Sequence, residues 1–478
     1  MSDMNLICLT GATGNMGVAG VKAILETWPD IRLRLLVLPD DPGLMRLGPW
    51  IHDPRVSIFR GHINHYDEVS RFVAGATYVI HLAALVSPLA DHHPQEAVRI
   101  NIGGTRNIVR SIQNSPDWNR IRLIYVGSIA QTGDRMPPLH WGRIGDPIKP
   151  SYFDMYAVTK AQAEKSVVES GLPYWVSLRQ TGIAHPGLLS VRDGIIFHQP
   201  LENCMEWVST ADSGRLLAHA LNPDLPVAFW KQIYNIGGGP EWRLTGYELL
   251  ETIYRQLGVK DFRHFFDRSW FATQNFHGHW YLDSDTLNDL LHFRHDHPSD
   301  FLQRLPKEIP ASTRFGCRLP ASWVKSRFIK PLARSPMGPL NWIETHRIDM
   351  IQAFFGSKAQ QEALPDWDQY TYQRPSNTPI ILSHGFDESI PPSAWTLLDL
   401  QEAARFRGGY CHATDYAPGH PYDKIPWECN AGHRFLASPF LILQGGYWCP
   451  HCMPPPWDYD QIAKHNPFFA QVWRPTVI

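Results

Sequence analysis

The chain contains no run approaching the roughly 18 consecutive apolar residues that a membrane-crossing helix needs. Its opening, Met1-Ser2-Asp3-Met4, lacks the charged-then-apolar order of a secretory leader. Charge of one sign is missing too: 44 Lys and Arg stand against 46 Asp and Glu, for a formal net charge of −2. No global field therefore attracts nucleic acid or an anionic membrane, and only a local basic patch could do so. Cysteine is scarce, at seven in 478 residues. An odd, sparse set excludes a disulfide framework. Together these absences predict a cytoplasmic protein that acts on a small-molecule substrate, with neither nucleic acid nor membrane as partner.

Proline (40) and tryptophan (18) are plentiful, which suits a rigid, loop-rich globular protein. The length exceeds what one hydrophobic core usually serves, so two or three domains are expected. From Leu6 to about Cys204, short β-branched or leucine-rich runs alternate with helical patterns. Leu6–Leu9, Leu33–Leu38, Val56–Arg60, Tyr78–Leu82, Ile121–Val126 and Tyr174–Leu178 read as strands of a parallel sheet covered by helices. Near-continuous apolarity in the first and fourth runs predicts burial on both faces, as in a doubly wound α/β fold. Ligands of such folds bind at the carboxyl ends of the strands.

The first strand runs into Thr10-Gly11-Ala12-Thr13-Gly14-Asn15-Met16-Gly17, followed by the helix-forming Val18–Thr27. In this context Gly11 permits the tight turn, Gly14 lets backbone approach a pyrophosphate, and Gly17 lets helix pack closely on strand. The helix start would present bare N–H groups and a positive dipole end to the phosphates. After the fourth strand, Leu82-Ala83-Ala84 leaves room for the adenosine side of a dinucleotide. Tyr156 and Lys160, at i and i+4, share one helix face. An ammonium beside a phenol favours the phenolate and suits the tyrosine to proton transfer, and Ser128, just past the fifth strand, can hydrogen-bond the reacting oxygen.

These residues give the chain a clear resemblance to the extended short-chain dehydrogenase/reductases, the NAD-dependent epimerase/dehydratase superfamily. The resemblance covers roughly residues 4 to 258. It is carried by Thr10 to Gly17, by His81-Leu82-Ala83-Ala84, by Asn101-Ile102-Gly103-Gly104-Thr105 and by Ser128, Tyr156 and Lys160. Leu178-Arg179-Gln180-Thr181-Gly182 and Ile233-Tyr234-Asn235-Ile236-Gly237-Gly238 extend it. The resemblance implies a doubly wound Rossmann domain over residues 1–260 that binds NAD or NADP. It further implies that Tyr156 is the acid/base, that Lys160 binds the nicotinamide ribose and lowers the tyrosine pKa, and that Ser128 polarises the substrate oxygen. Cofactor contacts are expected from Gly11, Thr13, Gly14, Asn15, Met16, Gly17, Asp40, His62, Ile63, Leu82, Ala83, Ala84 and Asn101, besides Tyr156 and Lys160.

The chain departs from the pattern at three points. Gln180 replaces a usual proline, and His62 stands where an aspartate commonly contacts adenine. The second strand ends Val37-Leu38-Pro39-Asp40-Asp41, with Arg46 nearby. An acidic residue there selects the ribose 2′-OH of NAD and an arginine the 2′-phosphate of NADP, so both cofactors stay open with a lean to NAD. Ile129-Ala130-Gln131 replaces the acidic pair that sugar dehydratases of this family carry after the catalytic Ser/Thr, which argues against dehydration. Hydride transfer between nicotinamide and a carbonyl or alcohol is the leading reading, with nucleotide-sugar epimerisation on the same three residues as the alternative. By family analogy the loop Val86–His93 and the segment His185–Asn203 face the substrate, and a homodimer is expected.

Beyond about Lys260 the alternation ends. Residues 261–397 read as a helical, loop-rich region: Asn288–Phe293 and Trp342–Phe355 have helical spacing, and the proline-bearing Leu305–Pro339 reads as a long connection. Four of the seven cysteines follow position 410. Cys429, His433, Cys449 and Cys452 have the types and spacing of a closed, structural tetrahedral zinc site. Residues 398–452 also resemble a zinc-ribbon module, through Arg407-Gly408-Gly409-Tyr410-Cys411, Trp427-Glu428-Cys429-Asn430-Ala431-Gly432-His433 and Trp448-Cys449-Pro450-His451-Cys452, so that 398–478 is expected to be this module with a C-terminal tail. Cys411 is then a fifth candidate ligand. Some such ribbons accompany DNA-acting proteins, giving a nicotinamide-sensing, nucleic-acid-associated or scaffold protein as an alternative from another class. Against it, Arg434 is the only Lys or Arg between Trp427 and Trp457.

Overall fold

A computed structural model describes residues 6–473; the opening tetrapeptide discussed above lies outside the described residues. Seven strands form one all-parallel sheet: β1 (Leu6–Thr10), β2 (Arg32–Val37), β3 (Val56–Arg60), β4 (Tyr78–His81), β5 (Arg122–Ser128), β6 (Trp175–Gln180) and β7 (Gln232–Ile236). In space they run β7-β6-β5-β4-β1-β2-β3. The order reverses between β1 and β4, which makes the crevice at their carboxyl ends the place for a ligand. β1 and β4 are almost wholly buried, as their unbroken apolarity requires.

One face of the sheet is covered by the helix Asn15–Thr27 and by Thr210–His219. They approach so closely that a Cβ on Gly214 would sit 2.6 Å from the Ala19 backbone. The other face is covered by Tyr66–Val73, Gly104–Gln113 and Met155–Val168. Its core runs without a break from Phe72, Val167 and Trp175 into Trp427, Phe440 and Tyr447 of the C-terminal module. That module combines the helix Leu397–Phe406, a three-stranded antiparallel sheet, Gly409–Cys411, Ile425–Cys429 and Arg434–Ala437, and the short helices Pro439–Leu443, Tyr459–His465 and Pro467–Ala470.

The middle region differs from the long connection expected over Leu305–Pro339. It is mostly helical: Pro298–Glu308, Ala311–Gly316, Ala321–Val324 and Lys330–Ala333, the last two joined by a π turn over Lys325–Ile329. Most prolines of that stretch mark helix starts, while Pro306 lies inside Pro298–Glu308. Pro298 and Pro331 sit in first turns, and Pro310 and Pro320 stand at N-caps, where the missing N–H costs no helical hydrogen bond. Trp342–Phe355 is two helices, Pro339–Glu344 and Ile348–Phe355, broken near His346 at φ 54°. Asn288–Phe293 contributes to a helix over Ser284–Leu291 that ends at left-handed His292.

Candidate functional site

The glycine turn follows β1 at the point of reversal. Gly11 has φ +74°, and a Cβ there would lie 2.8 Å from the Ala83 backbone nitrogen. A Cβ on Gly17 would strike the Gly11 carbonyl oxygen at 2.1 Å. Both positions are therefore fixed as glycine by the fold itself. Gly14 is different: its φ is −72°, and a Cβ would stand at 3.4 Å from Gly11 O, a distance the chain can accommodate. What the missing side chain leaves open at Gly14 is the approach to the start of the helix Asn15–Thr27. That is a cradle a Cβ would fill, and it fits a pyrophosphate.

Thr10 and the loop after β4 are laced together. Thr10 Oγ1 accepts from the backbone N–H of Leu82 and Ala83 at 3.2 and 3.1 Å, and pairs with His81 Nδ1 at 2.9 Å. His81 Nε2 meets Thr105 Oγ1 at 2.9 Å, and burial pushes the imidazole down to about 3, so it is neutral. Asn101 lies in a π turn, Val98–Gly103. Its amide bridges the Leu85 backbone in both directions and donates to Thr159 Oγ1 at 2.9 Å. It thereby ties the loop after β4 to the helix Met155–Val168.

At the end of β2 the acidic residue that reaches the turn is Asp41, not the expected Asp40, which is exposed. Asp41 accepts from Thr13 Oγ1 and from the Gly43 N–H, both at 2.7 Å, while Arg46 donates to the Thr13 carbonyl and to Asn15. The Asp41-Pro42-Gly43 spacing is an Asx-turn signal that could have identified it in the sequence. Ile63 is buried beside Gly104, and Asn107 donates to its carbonyl. His62 packs on His65 instead, at 4.9 Å between ring centroids.

Ser128, Tyr156 and Lys160 are brought together. β5 extends two residues beyond its expected end and finishes at Ser128, whose side chain lies beside the Tyr156 hydroxyl and favours its ionised form. Tyr156 keeps part of its surface open, yet burial of the hydroxyl pushes the phenol up to about 12, with Ser128 opposing. That direction is opposite to the one an ammonium neighbour would produce. Lys160 Nζ is turned to the Val126 carbonyl at 2.6 Å and lies 4.3 Å from the Tyr125 ring centroid; burial lowers it to about 7. Opposite Ser128 in register stands Gln180, whose buried Oε1 has no hydrogen-bond partner among the described residues.

Two carboxylates that sequence reasoning did not select flank the start of the helix Met155–Val168, which carries Tyr156 and Lys160. Asp154 caps it, accepting from the Ala157 N–H at 2.7 Å, and Asp91 accepts from Met155 N–H at 2.9 Å. Burial and the neighbouring Asp154 raise the Asp91 carboxyl well above its ordinary value. His277 Nδ1 lies 3.6 Å from Asp154.

Behind the helix Met155–Val168 lies a buried polar network that spans more than three hundred residues of sequence. Gln131 Oε1 accepts from Ser128 N–H at 2.7 Å, and its amide donates to Glu164 at 2.9 Å. Glu164, one turn beyond Lys160, also receives Ser177 Oγ at 2.6 Å, Arg179 Nη2 at 2.7 Å and the Tyr447 hydroxyl at 2.8 Å. Burial would raise the Glu164 carboxyl, but Arg179 and these hydrogen bonds hold it below its ordinary value. Tyr447 lies 2.9 Å from the Ala161 carbonyl, Arg179 donates to Gly445 O, and Gly446 O accepts from Ile148 N–H. No local signal in the sequence announces Glu164 or Tyr447, since the contact joins distant segments.

Two residues beyond Tyr447, Cys429, His433, Cys449 and Cys452 converge, with their ligand atoms all within 4.8 Å of one another. His433 Nδ1 lies 3.5, 3.6 and 3.4 Å from the three sulfurs, and Cys429 Sγ lies 3.8 Å from Cys452 Sγ. Tetrahedral zinc, with its usual bond lengths to sulfur and nitrogen, requires edges of about 3.8 Å between sulfurs and about 3.6 Å from sulfur to nitrogen. The donor set fits that ion. Cys411 is not in this cluster; it pairs across the small sheet with Trp427.

Comparison with known proteins agrees with this geometry. The sequence model of the 3-beta hydroxysteroid dehydrogenase/isomerase family matches residues 8–174. Human 3 beta-hydroxysteroid dehydrogenase type 7 is 31% identical over 201 residues, covering 39% of this chain and 52% of that protein. UDP-glucose 4-epimerase of Rickettsia rickettsii is 26% identical over 112 residues, covering 23% of this chain and 33% of that protein. The chain spans about half the length of the 3 beta-hydroxysteroid dehydrogenase relatives it matches. Among solved structures, DesIV of Streptomyces venezuelae, a dTDP-glucose 4,6-dehydratase holding NAD, is 22% identical. It superposes with a TM-score of 0.51 over 63% of this chain and 95% of that one. Over the sheet domain the chain is thus similar in sequence to 3-beta hydroxysteroid dehydrogenases and to enzymes of the extended short-chain dehydrogenase/reductase superfamily.

Proposed function

We propose that this protein is an NAD-dependent oxidoreductase acting on a secondary alcohol or ketone of a small molecule, with Tyr156 as the group that moves the proton. The observation that carries the reading is the placement of Ser128 beside the Tyr156 hydroxyl, at the same carboxyl edge of the sheet as the glycine turn. NAD, when bound, supplies the site that accepts or returns the hydride. The chain's own part is positioning and proton handling. Gly14 and the N–H groups at the start of Asn15–Thr27 offer an anion cradle. Tyr156, held neutral by burial, keeps a proton at its Oη that it can give to a carbonyl oxygen, and Ser128 orients that hydroxyl. Lys160, anchored to the Val126 carbonyl, has its amine beside the same surface and is the residue assigned to the ribose. Gln180 Oε1, buried and unpartnered opposite Ser128, is available to a substrate hydroxyl.

NAD is favoured over NADP because Asp41 places a carboxylate at the turn, and because the superposable DesIV holds NAD. In this reading Cys429, His433, Cys449 and Cys452 hold a structural zinc, since four protein donors leave no open position for chemistry. Epimerisation of a nucleotide sugar on the same residues is the second reading, favoured by the Rickettsia relative.

The test is NADH consumption with 3-ketosteroids and other ketones, the direction in which neutral Tyr156 gives its proton, together with NADH formation from NAD⁺ with 3β-hydroxysteroids, other secondary alcohols and UDP- or dTDP-hexoses at raised pH, where the phenol can take one up. Tyr156→Phe should retain NAD⁺ binding and lose turnover by about a hundredfold or more. Turnover equal to wild type in Tyr156→Phe would overturn the proton-transfer assignment. Interconversion of a sugar without net NADH would select the epimerase.

A further inference from the structure

The near-zero net charge conceals a segment of one sign. Between Glu308 and Glu344 the chain has no acidic residue, while Arg314, Arg318, Lys325, Arg327, Lys330 and Arg334 all fall there. Among the described residues this stretch forms only two ion pairs, Lys325 with Asp267 and Arg334 with Glu344. Arg314, Arg318 and Arg327 are exposed and unpaired. The same stretch carries three large aromatic side chains out into solvent: Phe315 at 63% exposure, Trp323 at 48% and Phe328 at 53%. They are not scattered. The Trp323 and Phe328 rings meet at 5.3 Å, and all three line the rim of one cavity of about 510 Å³. Its interior is formed by Leu188, Phe197, Phe266, Phe271 and Leu332, and Arg192 stands at its edge.

Exposed aromatics around an apolar cavity cost solvation energy unless something covers them. The occupant must be apolar at its centre and anionic at its margin. A folded acidic protein could match the cations but would not fill a cavity of this kind. Nucleic acid matches the cations too, and bases stack on aromatics, yet they need hydrogen-bond partners that a cavity walled by Leu and Phe does not offer. A lipid surface has both properties in the right order: anionic headgroups outside, hydrocarbon beneath, and a boundary where Trp and Phe rest with Arg and Lys beside them.

We propose that the face formed by residues 311–334 docks on an anionic lipid bilayer, with Phe315, Trp323 and Phe328 entering the headgroup boundary and the adjoining cavity taking an acyl chain. The docking is peripheral; no helix among the described residues is long and apolar enough to cross a membrane. It revises the expectation of no membrane partner, which rested on net charge. The exposed residues of this face lie apart in sequence from the glycine turn and the Ser128–Tyr156 pair, while the cavity shares Leu188, Arg192 and Phe197 with the segment expected to face the substrate.

The experiment is co-sedimentation of the full chain with phosphatidylcholine vesicles, with and without a substantial fraction of phosphatidylserine, across salt concentration. The wild type should bind the phosphatidylserine vesicles, and lose binding in high salt. Replacing Arg314, Arg318 and Arg327 together by Gln should weaken binding by about a hundredfold. Replacing Phe315, Trp323 and Phe328 together by Ser should weaken it comparably, and both variants should melt where the wild type melts. No binding to phosphatidylserine vesicles would overturn the proposal, as would binding unaffected by either triple change. Tighter binding to a DNA oligonucleotide than to the vesicles, lost in the same variants, would assign the face to nucleic acid instead.

Discussion

The back of the helix Met155–Val168 and the 311–334 face make opposite use of polar and apolar groups. Behind the helix, Gln131, Glu164, Ser177, Arg179 and Tyr447 are buried, and the Glu164 carboxylate is fully engaged by donors from four other residues. On the 311–334 face three arginines and three aromatic rings stand in solvent with no internal partner for the charges. A buried network this densely bonded, in which Arg179 Nη1 alone of the named side-chain atoms lacks a partner among the described residues, positions its members, because any unmatched group there loses its solvation outright. An unsaturated exposed one contributes little to the fold and is explained by a contact outside it. The contrast also separates the two C-terminal regions of the chain: residues 398–473 complete the site from behind, whereas the middle region faces outward.

Removing one of the four residues proposed to hold zinc should break the first half of this comparison most severely. Cys449→Ala should lose the metal, read as zinc per chain, and destabilise the protein by more than about 4 kcal/mol, because the module shares its core with the sheet domain. Retained zinc with an unchanged melting temperature would show that these four residues are not its ligands. Tyr447→Phe is milder. It deletes only the hydroxyl bonded to Glu164 and should cost about 1–3 kcal/mol. Turnover should fall as well, through loss of order at Gln131 and hence at Ser128, with NAD⁺ affinity little changed. The smallest effect is expected on the other face. Arg314→Gln should leave stability within about 0.5 kcal/mol of wild type by denaturant unfolding. A large loss there would mean that the exposed charges serve the fold after all.

The sheet domain was legible because its signals are local and repeat with the period of strand and helix. Every strand expected there forms, and β5 differs mainly in reaching Ser128, which improves the placement of that residue. The glycine turn was readable for the same reason, with Gly11 and Gly17 fixed by backbone contacts within a few residues or across one strand. Asp41 was missed in favour of Asp40 because the bend after β2 turns the second carboxylate, not the first, toward Thr13. Proline misled over Leu305–Pro339, since a proline at a helix start and one in a loop look alike without the capping geometry. Cys429, His433, Cys449 and Cys452 were readable from ligand spacing. That this cluster sits directly beneath the helix Met155–Val168 was not, because the Tyr447–Glu164 contact joins residues 283 positions apart. Lys160 was found by its spacing from Tyr156, but its hydrogen bond to Val126 and the upward direction of the phenol follow from burial.

The central claim, that the crevice between β1 and β4 binds NAD through the glycine turn, is tested most directly at Gly14. Its φ of −72° and the 3.4 Å left for a Cβ mean that Gly14→Ala should fold and melt as the wild type does. Calorimetric titration with NAD⁺ should give one site per chain for the wild type and an affinity weaker by about tenfold or more for Gly14→Ala. Equal affinity in the two proteins, or no binding by the wild type, would contradict the account.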